Sequence, residues 1–381
     1  MTICWATRLR GFLRHLSGKL NGVEFVESKR YYESVSLIGK LKSLLIRSPI
    51  LDPLGLFQIV RIETGECDAY GSFNRLLKAD KPYFLYLENP TALYHYSLTR
   101  LRFPAGKRRF FRAISDPNLR YIACMSNVCR ETFTSLNGAL PDSVRIGTAY
   151  PLIPRNFCVD ERRIIEKCRG ETVECLFSAQ GRRFLTKGGL DVLRAVSELQ
   201  REDYPIHLTV ITQMSELDRR TKRLLSQYKD VTLLDFSLSY HEMEAIYAQT
   251  AILLHPSSDD SFGLTVLEGM KGGCAVIATK LYAFSEMVSD LESGILIEPK
   301  FRIYDENGLP NPSVWRHGKK LRSARRRDDS FVRRIKDALS ELCTNRELLS
   351  KYALRGYEIA ETKFGEEAVL NQWNEVFSSV R

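Results

Sequence analysis

The sequence has no apolar run close to the roughly 20 residues that a helix needs to cross a bilayer. Its first residues, Met1 to Arg8, also lack the long apolar core of a secretory signal peptide. These two absences exclude the sequence signals of membrane insertion and of secretion. We therefore expect a cytoplasmic protein.

Cysteine and histidine patterns typical of structural or metal sites are missing as well. The nine cysteines are odd in number and form no Cys-x-x-Cys pair, which argues against a disulfide framework or a zinc site. No HExxH-type spacing joins a histidine to an acidic residue. We expect a reducing compartment, no metal and no cofactor.

Length and charge are informative. A chain of 381 residues, 44% of them hydrophobic and 27% charged, suits about two soluble globular domains. The net charge of +10 comes from residues 1–150, which hold 22 basic and 12 acidic residues, while the rest of the chain is balanced. This asymmetry predicts an anionic partner, which could be nucleic acid, an anionic lipid surface or a phosphorylated acceptor.

The first half of the chain alternates strand-like and helix-like segments, which predicts a mostly parallel sheet. Pro151 and Pro154 end this domain, which we place at residues 1–154. Apolar spacing predicts strands at 2–6, 23–26, 57–62, 83–87 and 121–125, and helices at 7–20, at 36–47 and through Phe133.

A second α/β pattern fills most of the remaining chain. After a polar linker at 155–170, a doubly wound domain is predicted at 171–363, with ligands bound beyond the carboxyl ends of its strands. A basic insertion, which we expect to be an exposed loop, interrupts it at about 300–328, and a terminal helix occupies 364–381. The predicted strands are at 172–177, 208–212, 231–234, 251–254, 275–278 and 294–297.

The stretch from His255 to Met270 carries the clearest chemical signal. Asp260 and Glu268 bracket seven residues, and Gly263 lies where a helix begins after the strand at 251–254. The first N–H groups of a helix form a natural phosphate site, and carboxylates on either side can hold sugar hydroxyls. The alternative is a strand, a turn and a helix with incidental acids.

This pattern resembles the acid-x7-acid motif of the retaining nucleotide-sugar glycosyltransferases of family 4, also called glycosyl transferases group 1. The likeness continues through Gly272–Thr279 and Glu286–Val288, although the family usually has Glu where this chain has Asp260. The resemblance implies the GT-B fold, with two facing Rossmann-like domains, a cleft between them and a terminal helix that crosses back to the first domain.

A second part of the resemblance is the segment from Gln180 to Gly189, in which Arg182 and Lys187 match the family's Gly-Arg and Lys-Gly pattern. A departing nucleoside diphosphate develops negative charge, which fixed cations stabilise. Arg182 can grip phosphate oxygens bidentately, and Lys187 can act as a point charge. A solvated basic loop is the alternative.

The resemblance also implies a role for each matching residue. Arg182, Lys187 and Asp260 are the expected catalytic residues, with Asp260 contacting the transferred sugar. Glu268 should hold the ribose. No Asp-x-Asp pair is present to bridge a cation, because Asp259 and Asp260 are adjacent. The remaining expected donor-binding residues are Gly181, Phe262, Gly263, Leu264, Thr265 and Phe236, the last of which could equally be a core aromatic.

The first domain has a weaker likeness to the family, because it lacks the glycine-rich loop after its first strand. Glu88 is a candidate acceptor base or sugar contact, with a buried or capping carboxylate as the alternative. His95 is a second acceptor-side candidate, although a structural role is favoured. The basic segment that could lie on an anionic membrane interleaves aromatic residues with Arg100, Arg102, Lys107, Arg108, Arg109 and Arg112.

The expected function is transfer of a sugar from a UDP- or GDP-sugar to a glycan or lipid-linked acceptor, in bacterial surface polysaccharide synthesis at the inner face of the membrane. A catalytically silent GT-B protein that binds nucleotide sugar or glycan is the alternative. Nucleic acid is not an expected partner, because no binding motif for it is visible.

Overall fold

The computed structural model describes residues 1–7, 9–20, 22–27, 48–62 and 66–381. The chain divides into two compact units. Unit 1 comprises Met1–Pro154, Glu306–Pro310 and Glu366–Arg381, and unit 2 comprises Arg155–Asp305 and Asn311–Gly365. Residues 155–170, treated above as a linker, therefore belong to unit 2, where they contain a helix.

The regular elements of the described residues follow in chain order. The strands are β1 Thr2–Trp5, β2 Glu24–Glu27, β3 Ile59–Arg61, β4 Ala69–Phe73, β5 Leu76–Lys78, β6 Tyr83–Leu87, β7 Leu119–Cys124, β8 Arg145–Thr148, β9 Val173–Ser178, β10 Ile206–Ile211, β11 Val231–Leu234, β12 Ile252–His255, β13 Ala275–Thr279 and β14 Gly294–Ile297. The α-helices are α1 Gly11–Arg14, α2 Pro104–Ile114, α3 Asn127–Asn137, α4 Glu161–Cys168, α5 Gly189–Arg201, α6 Arg219–Leu225, α7 Tyr240–Gln249, α8 Leu264–Lys271, α9 Phe284–Met287, α10 His317–Arg325, α11 Asp329–Thr344, α12 Arg346–Thr362 and α13 Glu366–Ser378. Short 3-10 helices lie at Pro49–Leu54, Pro90–Tyr94, Arg100–Arg102, Gly181–Arg183 and Met214–Glu216.

Unit 1 is built on a parallel sheet whose described strands have the order β2-β1-β4-β6-β7-β8. Strand β6 is buried throughout and lies where the sequence predicted it. Strand β4, beside it, was not predicted, and its central Gly71 is of a residue type that is depleted in strands. A Cβ on Gly71 would lie 2.8 Å from the ring of Phe84, so the glycine makes room for that ring.

The predicted helix at 7–20 is wrong in extent, because among the described residues of that range only Gly11–Arg14 is α-helical. The following turns close backbone hydrogen bonds three residues apart, such as Leu16 N–H to Leu13 O at 3.2 Å, and Gly18 has a φ of 78°. The apolar spacing nevertheless identified the buried side, since Leu9, Leu13, Leu16 and Leu20 are all buried. The predicted helix at 36–47 lies outside the described residues.

Arg100 corrects the predicted basic surface of the first domain. Its side chain is only 1% exposed and forms an ion pair with Asp52 at 2.7 Å. Arg102, Lys107, Arg108, Arg109 and Arg112 are exposed, so the surface consists of these five cations. Helix α2 carries the last four of them, and its buried residues are Gly106, Phe110, Ala113 and Ile114.

Unit 2 is a doubly wound domain with the strand order β11-β10-β9-β12-β13-β14, and all its strand pairs are parallel. The strands predicted at 231–234 and 294–297 are confirmed residue for residue. Sheet order reverses between β9 and β12, which is where ligands bind in open α/β sheets. The predicted class, an α/β chain with two Rossmann-like domains, is confirmed.

The basic insertion is more ordered than the predicted exposed loop. It contains helix α10, and its segment Glu306–Pro310 belongs to unit 1. There, Gly308 O accepts a hydrogen bond at 3.0 Å from the side-chain amide of Asn89, which is itself buried. The terminal helix α13 also belongs to unit 1, where Trp373 Nε1 donates to Tyr150 O at 2.8 Å.

Candidate functional site

The candidate site lies at the point in unit 2 where the strand order reverses. The loop after β9 carries Lys187, and the loop after β12 carries Asp260. The two loops are joined by a hydrogen bond from Ser258 N–H to Thr186 O at 2.9 Å. Neighbouring parallel strands thus bring two segments that are about 70 residues apart in the chain to one edge of the sheet.

Gly188 permits this close approach of the two loops. Its φ is 87°, a left-handed conformation that costs glycine little, and a Cβ there would lie 2.8 Å from Pro256 O. The geometry explains the Lys-Gly pair of the sequence. Gly188 lets the two loops pack closely together, and Lys187, the residue before it, contacts Asp260.

Lys187, His255 and Asp260 form one polar cluster. Lys187 Nζ and Asp260 Oδ2 form an ion pair, and His255 Nε2 lies 3.2 Å from the same oxygen. Lys187 and His255 are buried, and Asp260 is partly buried. Because a carboxylate only accepts hydrogen bonds, His255 must carry its proton on Nε2.

The charge states of this cluster follow from its geometry. Burial favours the neutral form of Asp260, but the Lys187 ammonium and the His255 hydrogen bond hold the pKa of this carboxyl well below its usual range. Burial lowers the pKa of His255, and Lys187 lowers it further, against the opposing effect of Asp260. At neutral pH the cluster is thus a charged Lys–Asp pair beside a neutral histidine.

Replacing His255 with glutamine should flatten the pH dependence of the free energy of unfolding below about pH 6.5, the ordinary pKa of histidine. As pH decreases below about 6.5, the unfolded chain takes up a proton on His255 before the folded chain does. The free energy of unfolding of the wild type therefore decreases as pH decreases. Glutamine can still donate to Asp260 but does not titrate. Asp260 contributes to acid sensitivity only below its ordinary pKa of 3.8, because its folded pKa is lowered.

Urea unfolding at a series of pH values measures this slope. The control is His241→Gln, which changes a histidine that is 83% exposed. Equal slopes for His255→Gln and the wild type would contradict the prediction.

The start of helix α8 also contributes to the site, four residues after Asp260. Its N-cap is Gly263, with a φ of 92° and no side-chain cap, and a Cβ there would lie 2.4 Å from the ring of Phe284. Leu264 and Thr265 form the first turn and are partly exposed. Backbone N–H groups at such a helix start, together with the helix dipole, favour an anion.

Glu268 lies one turn further along α8. Its carboxylate accepts a hydrogen bond from Tyr247 Oη at 3.0 Å. Burial raises the pKa of Glu268, and the Tyr247 hydrogen bond partly offsets this rise. The sequence alone did not indicate a role for Tyr247 or His255. Each is a single residue that belongs to no motif with a recognisable spacing.

The other predicted donor-side residues differ in exposure and in the groups that they contact. The Arg182 side chain is 81% exposed and pairs with Glu216 at 3.0 Å, so the structure does not bring it to Lys187 and Asp260. Phe262, predicted to bind the donor, is buried, with its ring 6.4 Å from that of Phe364. Gly181 packs against the backbone, since a Cβ there would lie 2.4 Å from Gln213 O. Phe236 follows β11 and is partly exposed.

The two acceptor-side candidates lie in unit 1. Glu88 follows β6, and its carboxylate accepts a hydrogen bond from Tyr96 Oη at 2.9 Å. His95 accepts a hydrogen bond from the backbone N–H of Gln58 at 3.2 Å, which favours its structural role. His95 and Tyr96 both have a positive φ, near 60°, an unusual strain for adjacent non-glycine residues.

Metal binding depends on how ligating side chains are grouped, and membrane crossing depends on how long and apolar the helices are. No group of three or more His, Cys, Asp or Glu side chains in the part of the chain that the structure describes could hold a metal ion. All nine cysteines fall within it and are free thiols. None of the helices described there has the length and apolar character that crossing a bilayer requires.

Comparison with known families adds to this geometry. Residues 169–305, which contain Lys187, Asp260 and Glu268, match the family model described as glycosyl transferases group 1. These residues carry the group 1 glycosyltransferase pattern. The match covers the greater part of the unit 2 sheet, and no curated protein matches the chain.

Several solved structures are similar to this chain in fold. A glycosyltransferase from Rickettsia africae ESF-5 is 13% identical, with a TM-score of 0.60, covering 100% of this chain and 98% of its own. HepE of Anabaena, solved in complex with UDP, is 13% identical, with a TM-score of 0.60 and 100% of each chain covered. A TarM variant from S. aureus, 12% identical with a TM-score of 0.52, covers 81% of this chain and 56% of its own. The group 1 pattern and this fold together support a GT-B glycosyltransferase.

Proposed function

We propose that this protein is a retaining, metal-independent glycosyltransferase of the family 4 type that transfers a sugar from a nucleoside diphosphate. The observation that carries the proposal is the Lys187–Asp260 pair, held beside the start of α8 where the sheet order reverses. A cation, an acid and a helix N-terminus at one such edge suit a sugar diphosphate, because each part of that ligand finds a complementary group.

The ion pair suggests how the donor binds. Without ligand, Asp260 supplies the counter-charge that a buried Lys187 needs. An arriving diphosphate offers Lys187 a second anion, and Asp260 then becomes available to accept hydrogen bonds from the hydroxyls of the transferred sugar. In this exchange Lys187 always faces an anion, and the carboxylate of Asp260 always accepts hydrogen bonds.

Further roles are part of the same proposal. The N–H groups of Gly263, Leu264 and Thr265 meet the diphosphate, and Glu268 holds the ribose. Arg182 joins the diphosphate by leaving Glu216, at small cost because an exposed ion pair contributes only about 0–1 kcal/mol. Phe236 lines the base pocket.

The donor and the acceptor are proposed by analogy. HepE of Anabaena has been solved with UDP and with UDP-glucose, so UDP-sugars are the first donors to test, followed by GDP-sugars. The S. aureus TarM variant was solved with UDP, fondaparinux and alpha-GlcNAc-glycerol. For this chain we propose a glycan or lipid-linked acceptor in bacterial surface polysaccharide synthesis, with Glu88 of unit 1 as an acceptor contact.

Turnover of a panel of nucleotide sugars tests the proposal, and Glu268→Gln identifies the site. Loss of a charge-assisted hydrogen bond to the ribose should weaken UDP binding about 10- to 100-fold, as expected for about 1.5–3 kcal/mol. Calorimetry with UDP measures this change, and Glu358→Gln, an exposed carboxylate paired with Arg355, is the control. Equal UDP affinities in the two variants would remove Glu268 from the site.

The alternative is a catalytically silent protein that binds nucleotide sugar. The ion pair between Asp260 and Lys187 motivates it, because the shorter aspartate is held by the lysine rather than extended toward a sugar. Binding of a nucleotide sugar with no transfer or hydrolysis on any donor of the panel would favour this alternative.

A peripheral membrane site on unit 1 belongs to the same proposal. Helix α2 exposes Lys107, Arg108, Arg109 and Arg112 around Phe111, which is 54% exposed. The 3-10 helix at Pro49–Leu54 exposes Ile50 and Leu54, and it lies close to α2, since a Cβ on Gly55 would be 2.3 Å from Gly106 N. Exposed apolar side chains among cations suit an anionic bilayer surface.

Replacing Phe111 with serine should weaken binding to vesicles that contain phosphatidylglycerol about tenfold, because an inserted phenylalanine contributes about 1.5–3 kcal/mol when fully buried. Co-sedimentation measures the change, and binding should fall with added salt. The control is Phe157→Ser, which removes a phenylalanine of unit 2 that is 86% exposed. Identical vesicle binding by the two variants would rule out this surface.

A further inference from the structure

The basic insertion is attached to the loop that carries Asp260. Lys320 of helix α10 places its Nζ 3.0 Å from Oδ1 of Asp259, the residue next to Asp260, and both side chains are largely buried. One residue earlier in the loop, Ser258 Oγ accepts a hydrogen bond at 3.3 Å from the backbone N–H of Phe301. Two consecutive residues of the site loop are thus held by the insertion.

Aromatic rings hold Lys320 in place. Its ammonium lies 4.5 Å from the centre of the Trp315 ring, a cation–π distance. Trp315 packs at 5.5 Å against Tyr304, which stacks at 4.5 Å on Tyr282. Tyr282 has a φ of 45°, a conformation that an aromatic residue adopts only when its surroundings impose it.

The far end of α10 is fixed separately. Lys300 Nζ donates to both carboxylate oxygens of Asp191, at 3.0 and 2.9 Å, and to Ala324 O at 2.9 Å. The side chains of Lys300 and Asp191 are both buried, and Asp191 belongs to helix α5. The helix that presents Lys320 is therefore joined to the core of unit 2, so the position of Lys320 is well defined.

Two adjacent carboxylates in a site built for a diphosphate pose an electrostatic problem. Asp260 is neutralised by Lys187, whereas Asp259 would repel the carboxylate of Asp260 and displace it if Asp259 had no cation of its own. Lys320 supplies that cation from outside the two sequence motifs. Because Lys320 pairs with Asp259, Lys187 can pair with Asp260 alone. The Lys320–Asp259 pair also holds the backbone next to Asp260.

We propose that Lys320 is a positioning residue for the sugar part of the donor, acting through Asp259 on the orientation of Asp260. This inference rests on the proposed function, because it requires a nucleotide-sugar site at Asp260. Its consequence is selective. Losing Lys320 should impair recognition of the sugar while sparing the nucleoside diphosphate, which is held by Lys187, Glu268 and the start of α8.

The test compares Lys320→Met with Lys319→Met in the full chain. Lys319 is the exposed neighbour in the same helix. Calorimetry should show that UDP-glucose binds Lys320→Met about tenfold more weakly, as expected for loss of a charged hydrogen bond, while UDP affinity changes by less than about twofold. Lys319→Met should match the wild type with both ligands.

Hydrogen exchange of the ligand-free protein gives a readout independent of the donor. Backbone amides of residues 258–261 should exchange at least about tenfold faster in Lys320→Met than in Lys319→Met. Lys320→Arg should restore both readouts, and Asp259→Asn in the Lys320→Met background should restore UDP-glucose affinity by removing the uncompensated charge.

Each outcome decides a different point. Unchanged exchange at 258–261 in Lys320→Met would overturn the positioning role. Equal losses of UDP and UDP-glucose affinity would show general disruption and would overturn the selective role. A wild-type protein that binds none of the nucleotide sugars would overturn the proposed function and its sugar-specific extension, and the exchange comparison would still decide whether Lys320 holds the loop.

Discussion

Replacing Lys187 with methionine should lower kcat for sugar transfer by about 10²- to 10³-fold, the usual effect of removing one fixed group that stabilises developing charge. Methionine keeps much of the length and apolar stem of lysine but cannot neutralise the departing diphosphate. Initial rates at saturating donor measure the change. The control is Arg183→Met in the same loop, whose side chain is exposed and has no assigned role.

A second variant separates catalysis from folding. Lys187→Met leaves Asp260 partly buried beside His255 without its cation, so the single variant should also be less stable. Adding Asp260→Asn removes the uncompensated charge and should recover the free energy of unfolding while leaving the protein inactive. Wild-type turnover in Lys187→Met, or recovered turnover in the double variant, would contradict the catalytic role of Lys187.

Replacing Arg100 with methionine should destabilise the protein by about 3–5 kcal/mol, the usual cost of breaking a buried ion pair from one side. Arg100 donates to Asp52 Oδ1 through Nε at 3.0 Å and Nη2 at 2.7 Å, and to Tyr94 O through Nη1 at 3.1 Å. These bonds tie the 3-10 helix at Pro49–Leu54 to the segment before α2. Methionine would leave Asp52 and a carbonyl buried without this partner.

The acid side of the stability curve gives a further readout. Burial favours protonation of Asp52, but hydrogen bonds from Ser97, Thr99 and Arg100 lower its pKa below the ordinary value of 3.8. Asp52 therefore stabilises the fold above that value, and this contribution is lost as pH falls through its folded pKa. Without Arg100 the pKa of Asp52 should rise and the loss should begin at higher pH.

Urea unfolding measures both effects, with Arg102→Met as the control because Arg102 is exposed. If Arg100→Met lowered the free energy of unfolding no more than Arg102→Met does, the buried ion pair of Arg100 would not stabilise the fold. The double variant Arg100→Met with Asp52→Asn should regain part of the stability, because Ser97 and Thr99 can still donate to the asparagine oxygen.

The site illustrates what residue spacing can predict. Lys187 and Asp260 were chosen from two separate motifs, and the fold brings them into one ion pair. Arg182 was chosen from the same motif as Lys187, yet its exposed side chain contacts Glu216. Spacing places a backbone segment at the right edge of a sheet, but the direction of a long flexible side chain depends on which partner is within reach.

The fold shows the same limit. Strands β6, β11 and β14 were predicted to the residue, because each is an apolar run with clear ends. Strand β4 was missed because it contains Gly71. A glycine is needed there because the ring of Phe84, from another strand, leaves no room for a side chain. The helix predicted at 7–20 is a single turn in the structure. Apolar residues spaced three to four apart fit consecutive tight turns as well as a helix.

Residue order alone was enough to predict the α/β class and the chemical types gathered at the unit 2 site, because apolar periodicity and motif spacing are local properties. The resemblance to a known family added the two Rossmann-like halves. Which charges are paired became visible in the folded chain. Arg100 became a buried structural residue, Asp260 acquired Lys187 and His255 as partners, and Asp259 acquired Lys320 from the insertion. Ion pairs depend on distance and burial, and both are set by segments that meet only after the chain has folded.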